Sequence, residues 1–369
     1  MSSQFGEILK VSVFGQSHGA AVGAVADGLP AGEVIDLAEL YAFMARRRPG
    51  HSPLATGRRE DDVPEFLSGV VKGEGELEVV TCASPLCVVI KNSDARSGDY
   101  ARLSDTPRPG HADYAAYVKW RGTADLRGGG HFSGRLTAPL CAVGGIAKQI
   151  LARRGIYIGA HLDAVGKVRD TRFPLYPGKT LFDELSRKSF PTLDDSRGDA
   201  MRREIADAAA ELDSVGGVVE CAVIGLPAGL GDPMFDGIEN LLARALFGIP
   251  ALKGLEFGSG FEGSTLRGSQ NNDPFIVTND KIATETNNAG GILGGITTGM
   301  PLVLRAAFKP TPSIGRAQRT VSLSRNAETT LEITGRHDPC VALRAVPAVE
   351  AVTAIVMLDI LLINNGSKI

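Results

Sequence analysis

Hydrophobic and polar positions along the chain alternate between two rhythms. Residues 8–14, 79–90, 218–224 and 302–308 are runs rich in β-branched side chains and read as strands. Residues 36–47, 138–153, 199–212, 237–247 and 346–363 repeat their apolar positions at helical spacing. Strands outnumber strand–helix–strand units, and no Pro- or Ser-rich connector divides the chain. The pattern predicts an α+β domain with substantial antiparallel sheet rather than a doubly wound parallel one. The longest apolar run, residues 351–358 continued at 360–363, is interrupted by Asp359. A membrane span needs about 20 apolar residues, so this run predicts a buried core helix.

An internal repeat lies on top of these elements. Gly28-Leu29-Pro30-Ala31-Gly32 recurs as Gly225-Leu226-Pro227-Ala228-Gly229, each copy after an apolar run and before an amphipathic helix. Thr81 and Pro85, ahead of a run ending at Lys91, match Thr297 and Pro301, ahead of a run ending at Lys309. The ordered pair predicts two related halves, roughly 1–150 and 210–369, packed into one domain.

Composition narrows the function classes. The chain has 369 residues with a net charge of −3, so no global basic field exists for a dedicated nucleic-acid binder. Any anion site must be local. Glycine is in excess at 45 residues, which points to many tight turns and close backbone approaches. Five scattered cysteines make no disulfide framework, and the N-terminal residues show no signal-peptide core. The expectation is a soluble cytoplasmic protein in a reducing compartment.

Polar residues crowd beside glycine in six segments. Gly15-Gln16-Ser17-His18-Gly19 fits the G-x-S-x-G elbow of a serine hydrolase, with Ser17 as nucleophile. Such an elbow needs an earlier strand and loop to supply an oxyanion donor, and only 14 residues come before Gly15; a turn carrying a surface histidine is the plain alternative. Arg46-Arg47-Arg48-Pro49-Gly50, followed by Arg58-Arg59-Glu60, is either a solvated helix end or a clamp for phosphate or polycarboxylate groups. Arg108-Pro109-Gly110-His111-Ala112-Asp113 sets three functional side chains on a rigid turn. Arg127 through Arg135 encloses three consecutive glycines before an apolar helix, an anion site or else a hinge. Residues 287–295 with Lys309-Pro310-Thr311-Pro312-Ser313 lack the acidic residue of a dinucleotide fingerprint. Gly335-Arg336-His337-Asp338-Pro339-Cys340 has no second Cys/His pair at zinc spacing. Arginines, histidines and one well-placed aspartate, without a convincing nucleophile or metal set, suit binding a multiply anionic small molecule and moving protons on it.

These segments, in this order and over nearly the whole chain, resemble the chorismate synthase family. The resemblance implies a β-α-β sandwich, two antiparallel sheets around a helical layer with a pseudo-two-fold repeat, assembled as homotetramers. It implies anti-1,4-elimination of phosphate and a C6 proton from 5-enolpyruvylshikimate 3-phosphate. It also implies reduced FMN, which lends an electron transiently and takes up the proton at N5 without net redox change. By position, His18 serves the leaving phosphate, His111 keeps the flavin correctly protonated, and Asp338 assists proton removal. Arg47, Arg48, Arg108, Arg135 and Arg336 bind substrate anions. Flavin contacts fall on His131, Phe132, Ser133, Ala251, Gly294, Lys309, Pro310, Thr311, Pro312, Ser313 and Arg336.

The sequence departs from the family pattern at Gln16, usually glutamate, and at His131-Phe132, often Arg-Ser. Leu136 stands where glutamate is common, and Pro53 where arginine is. No nicotinamide-binding module is recognisable, so the resemblance implies a separate flavin reductase rather than reduction of flavin by this chain with NAD(P)H. A non-catalytic flavin- or phosphate-binding relative is the alternative reading, and intact His18, His111 and Asp338 argue against it.

Overall fold

The computed structural model describes residues 3–48, 60–93, 105–278, 280–333 and 338–366, without the side chains of residues 365 and 366. Two five-stranded antiparallel sheets dominate it. The first holds β1 (Gln4–Phe5), β2 (Lys10–Gly15), β3 (Ala21–Asp27), β4 (Glu65–Ser68) and β5 (Leu86–Lys91) in the order β1-β2-β3-β5-β4. The second holds β6 (Tyr157–Val165), β7 (Val168–Arg169), β8 (Gly217–Ile224), β9 (Leu252–Phe257) and β10 (Leu302–Phe308) in the order β7-β6-β8-β10-β9. The fold class is α+β, as the apolar pattern predicts.

Seven helices accompany the sheets among the described residues, leaving aside one four-residue turn: α1 (Leu37–Arg47), α2 (Asp113–Trp120), α3 (Thr137–Ala152), α4 (Lys179–Arg187), α5 (Asp195–Ala210), α6 (Ile238–Leu246) and α7 (Ala342–Gly366). The Asp36 carboxylate starts α1 by accepting the N–H groups of Ala38 and Glu39 at 2.7 and 3.1 Å. Helix α3 packs on β3 and β5, α7 packs on β6 and β8, and the two helices pack on each other. A Cβ at Gly144 would lie 2.4 Å from Ala351 Cα, so only glycine lets these helices approach so closely.

Helix α7 is longer than its apolar pattern predicts and carries the one stretch among the described residues apolar enough to cross a membrane. Within that stretch, 83% of the most apolar window is buried inside the protein. Asp359 explains the interruption in the run: its carboxylate accepts the N–H groups of Glu7, Ile8 and Leu9 at 2.7–2.9 Å, tying the chain ahead of β2 to the core helix. All five cysteines are free thiols.

The two copies of the repeat make the same hydrogen bonds. Gly32 N–H donates to Thr81 O at 2.8 Å, and Gly229 N–H donates to Thr297 O at 2.9 Å. The Thr81 hydroxyl donates to Pro30 O at 2.6 Å, and the Thr297 hydroxyl to Pro227 O at 2.7 Å. Gly28 and Gly225 both have positive φ, +90° and +85°, with a neighbouring carbonyl 2.1 Å from where a Cβ would stand. Pro85 and Pro301 each lead directly into a sheet strand, β5 and β10.

One predicted strand is corrected. Residues 79–90 form two strands, not one: Glu78–Thr81 joins a small sheet with Val34–Asp36 and Val70–Lys72, while Leu86–Lys91 is β5 of the first sheet. Pro85, which has no N–H to donate to a ladder, sits in the break between them.

The second sheet buries charge. His161 on β6 faces Glu220 on β8, which faces Arg305 on β10, which faces Glu256 on β9, each pair in register across the ladder. His161 Nε2 lies 3.0 Å from Glu220 and its Nδ1 3.2 Å from Asp170. Burial opposes protonation of His161, but the hydrogen bonds with Asp170 and Glu220 outweigh it and raise the pKa to about 9.

Candidate active site

A cavity of about 1020 Å³ opens where the chain crosses between these elements. It draws on the turn after β2, the end of α1, the glycine loop before α3, the start of β9, the segment after β10 and the start of α7.

The glycine loop forms one wall. Gly128, Gly129 and Gly130 have φ of +59°, +90° and +54°, and the chain passes too close to its neighbours for any side chain. A Cβ at Gly128 would stand 2.1 Å from the His18 ring, and one at Gly130 would stand 1.8 Å from Asp125 O. Ser17 N–H donates to Gly130 O at 3.1 Å, pinning the turn that carries His18 against the loop. Ser17 itself is fully buried, which removes the hydrolase reading: the side chain is not presented to a substrate. Gln16 is exposed, so the charge missing there is one that water would screen.

His111 is held by a buried carboxylate. Its Nδ1 donates to Asp113 Oδ1 at 2.5 Å, which leaves Nε2 toward the glycine loop, 3.3 Å from where a Gly129 Cβ would stand. Arg108 grips the same carboxylate through Nε at 2.7 Å and Nη2 at 2.8 Å, and its Nη1 donates to Ser313 Oγ at 3.3 Å. Burial pushes the Asp113 carboxyl up, but the hydrogen bonds from Arg108 and His111 overcome this and hold it well below the ordinary range.

A second charge cluster lies at the end of α1. Arg47 and Arg135 both bind the Asp62 carboxylate, and Arg135 Nη2 also reaches Glu60 at 2.9 Å; all four side chains are buried. Arg47 donates further to Thr137 Oγ1 at 3.1 Å, and Arg135 to Asn92 Oδ1 at 2.9 Å. Beside them, Asp338 Oδ2 accepts from Arg344 Nη1 at 2.9 Å. Asp338 Oδ1 is buried with no partner among the described residues. Burial raises the Asp338 pKa against the opposing pull of Arg344.

Another part of the wall is cationic. Lys253 and Lys309 line it, and burial together with the neighbouring Lys253 lowers the pKa of Lys309. Lys309 Nζ donates to Gly110 O, linking the segment after β10 to the turn of His111. Ala251 adopts φ of +71°, and its carbonyl accepts from Lys309 N–H at 3.0 Å. The Thr311 hydroxyl is buried with no partner among the described residues.

The cavity therefore gathers His18, His111 and Asp338 with Arg47, Arg108 and Arg135. Of the expected flavin contacts it gathers His131, Phe132, Ser133, Ala251, Lys309, Thr311, Pro312 and Ser313. His131 is oriented by two hydrogen bonds of 2.8 Å, one to Gly15 O and one with the Ser3 hydroxyl, and Phe132 packs on Trp120.

Three expected residues are not brought in. Arg48 caps α1 and turns to Asp61 at 3.5 Å, Gly294 is exposed in a hairpin turn, and Pro310 is exposed between two lining residues. Arg336 and Pro53 lie outside the described residues. Sequence reasoning missed Arg344, Lys253 and Asp62, and it quoted Glu60 after Arg58-Arg59 without giving it a role.

Comparison with known proteins assigns the chain a family. The family model described as chorismate synthase matches residues 9–362. A protein named chorismate synthase from Thermococcus kodakarensis is 47% identical over 358 residues, covering 97% of each chain. One of the same name from Dehalococcoides mccartyi is 44% identical over 362 residues, covering 98% of this chain and 97% of that one. A solved structure titled "Crystal Structure of Chorismate Synthase" superposes with a TM-score of 0.75 at 27% identity, covering 98% of this chain and 94% of that one. With a family model spanning nearly its full length and relatives this similar end to end, the chain belongs to the chorismate synthase family.

Proposed function

We propose that this chain is a lyase that converts 5-enolpyruvylshikimate 3-phosphate to chorismate with reduced FMN. The C3–O bond to phosphate breaks and C6 loses a proton, so a second ring double bond forms. The observation that carries the reading is the convergence of His18, His111 and Asp338 with buried arginines in one cavity of a chain from this family.

The residues fit a flavin. The glycine loop leaves no side chain between His18 and His111, a cradle that any Cβ would fill. The buried Thr311 hydroxyl and the Asp338 Oδ1 atom, without partners among the described residues, offer it polar contacts, and Lys309 offers positive charge. Ala251, His131, Phe132, Ser133, Pro312 and Ser313 complete the surface that would hold it. Reduced FMN, when bound, would supply transient electron density to the substrate as phosphate departs and a basic nitrogen for the C6 proton.

The chain's own residues do the rest. His18 donates a hydrogen bond or proton to the leaving phosphate. His111, held by Asp113 in one tautomer, presents Nε2 toward the glycine loop and sets protonation at the flavin. Asp338 keeps its proton to higher pH than an exposed carboxyl and so relays it at Oδ1. Arg47, Arg108 and Arg135 draw in the anionic substrate, and Arg336 joins them by resemblance to the family pattern.

The same proposal includes the finer architecture. Two halves related by a pseudo-two-fold form a β-α-β sandwich, supported by the matching order of four strands in each sheet, β2-β3-β5-β4 and β6-β8-β10-β9, and by the paired Thr81 and Thr297 hydrogen bonds. Assembly as homotetramers is supported by exposed apolar side chains such as Phe261, Phe275, Val277 and Ile282. A separate flavin reductase and a cytoplasmic location complete it. An anaerobic assay with reduced FMN and the enolpyruvyl substrate tests the function: phosphate and chorismate should appear one for one. Binding of both ligands without either product would establish the non-catalytic relative instead.

A further inference from the structure

Among the described residues, the charges that meet Arg47 and Arg135 already cancel. Two guanidiniums meet two carboxylates, Asp62 and Glu60, and all four side chains are at most 4% exposed. A ligand anion added to this set would be an uncompensated buried charge, which is costly. One carboxylate therefore has to give way, and the two are not equivalent. Asp62 spends both oxygens, Oδ2 on Arg47 and Oδ1 on Arg135, and does not face the cavity. Glu60 lines the cavity, and its Oε2 pairs with Arg135 at 2.9 Å and accepts the Ser93 N–H at 3.4 Å.

We propose that Glu60 is a built-in stand-in for a carboxylate of the substrate: it occupies the place on Arg135 that the ligand's carboxylate takes, while Asp62 stays behind as the fixed counter-ion of both arginines. The inference rests on the reading that the cavity receives a substrate bearing carboxylates. A carboxylate exchanged for a carboxylate conserves both charge and hydrogen-bond type, whereas a dianionic phosphate at the same place would leave the cluster net negative. Arg135 also has little else to offer. Its Nε is committed to Asn92 Oδ1 and its Nη2 to Lys91 O as well as to Glu60, so the Glu60 place is where a ligand finds a donor.

The test is binding of malonate, a dicarboxylate probe, to the wild type and to Glu60→Gln by calorimetry at low ionic strength. A stand-in competes with the probe, so its removal tightens malonate binding by about tenfold, the size of one charge-assisted hydrogen bond that no longer has to be broken. A residue that merely props the arginines would give the opposite sign. Unchanged or weaker malonate binding in Glu60→Gln overturns the proposal. If that variant does not fold, Glu60→Asp keeps the charge but withdraws it by one methylene. It too must bind malonate more tightly, and weaker or equal binding overturns the idea. Because the readout needs no turnover, its failure is distinct from failure of the lyase assay.

Discussion

Gly128→Ala isolates the link between the glycine loop and His18. At φ of +59°, an alanine costs about 1–2 kcal/mol, which leaves a protein with a core of this extent folded. The new Cβ would stand 2.1 Å from both Cε1 and Nδ1 of His18, against ordinary contact at 3.4 Å or more. The ring therefore has to retreat by more than about 1 Å, and a reacting group misplaced by that much costs about 10²-fold in rate. The expected outcome is a roughly hundredfold fall in anaerobic phosphate release, with denaturant stability lowered by only about 1–2 kcal/mol. A double-mutant cycle with His18→Ala makes the reasoning strict. If Gly128→Ala acts through His18, it costs little once the imidazole is gone, because coupled residues are not additive. Full turnover in Gly128→Ala, or the same hundredfold loss in the His18→Ala background, would refute it.

Two further outcomes are expected. Asp338→Asn keeps the shape and leaves flavin and substrate affinity near wild type, yet lowers the single-turnover rate by about 10²-fold or more; a surviving rate would reduce Asp338 to a counter-ion for Arg344. His161 has its pKa raised to about 9, so the stability it contributes is complete below about pH 6.5 and is lost as pH rises through 9. Urea unfolding at pH 6, 8 and 10 should show a loss on the order of 3 kcal/mol that His161→Gln lacks, and parallel profiles for the two proteins would dismiss it.

The elements legible in the sequence were those with an uninterrupted rhythm. β8 and β10 have their predicted bounds within a residue, and the repeated GLPAG turns make matching bonds because the same glycines and threonines recur. β6 escaped notice because His161 and Asp163 break its apolar alternation; both are buried, His161 against Glu220 on β8 and Asp163 against Arg169 on β7. The arginine clamp was legible as a concentration of charge, but not its neutral state. Arg47 and Arg135 share Asp62 only after the chain has folded back on itself, and no spacing announces that. Arg47 and Arg48 look alike in sequence. The helix separates them: Arg47 ends α1 on its buried face, while Arg48, as the cap, turns toward Asp61. Arg344, set among apolar residues at the start of α7, gave no signal of its own.

The close seat of Gly144 on Ala351 has a consequence for the order of events during synthesis. Helix α7 is made after every strand it covers, and β6 leaves the ribosome well over a hundred residues ahead of it. At about 5–20 residues per second, that interval is roughly ten to thirty-five seconds. Throughout it Leu162, and from the synthesis of β8 onward Val219 and Cys221, lack the apolar surface that shields them in the finished protein. The cavity is equally late, since Asp338 and Arg344 arrive with that last helix. A growing chain therefore keeps these strands exposed until α7 docks, and the same docking step completes the cavity.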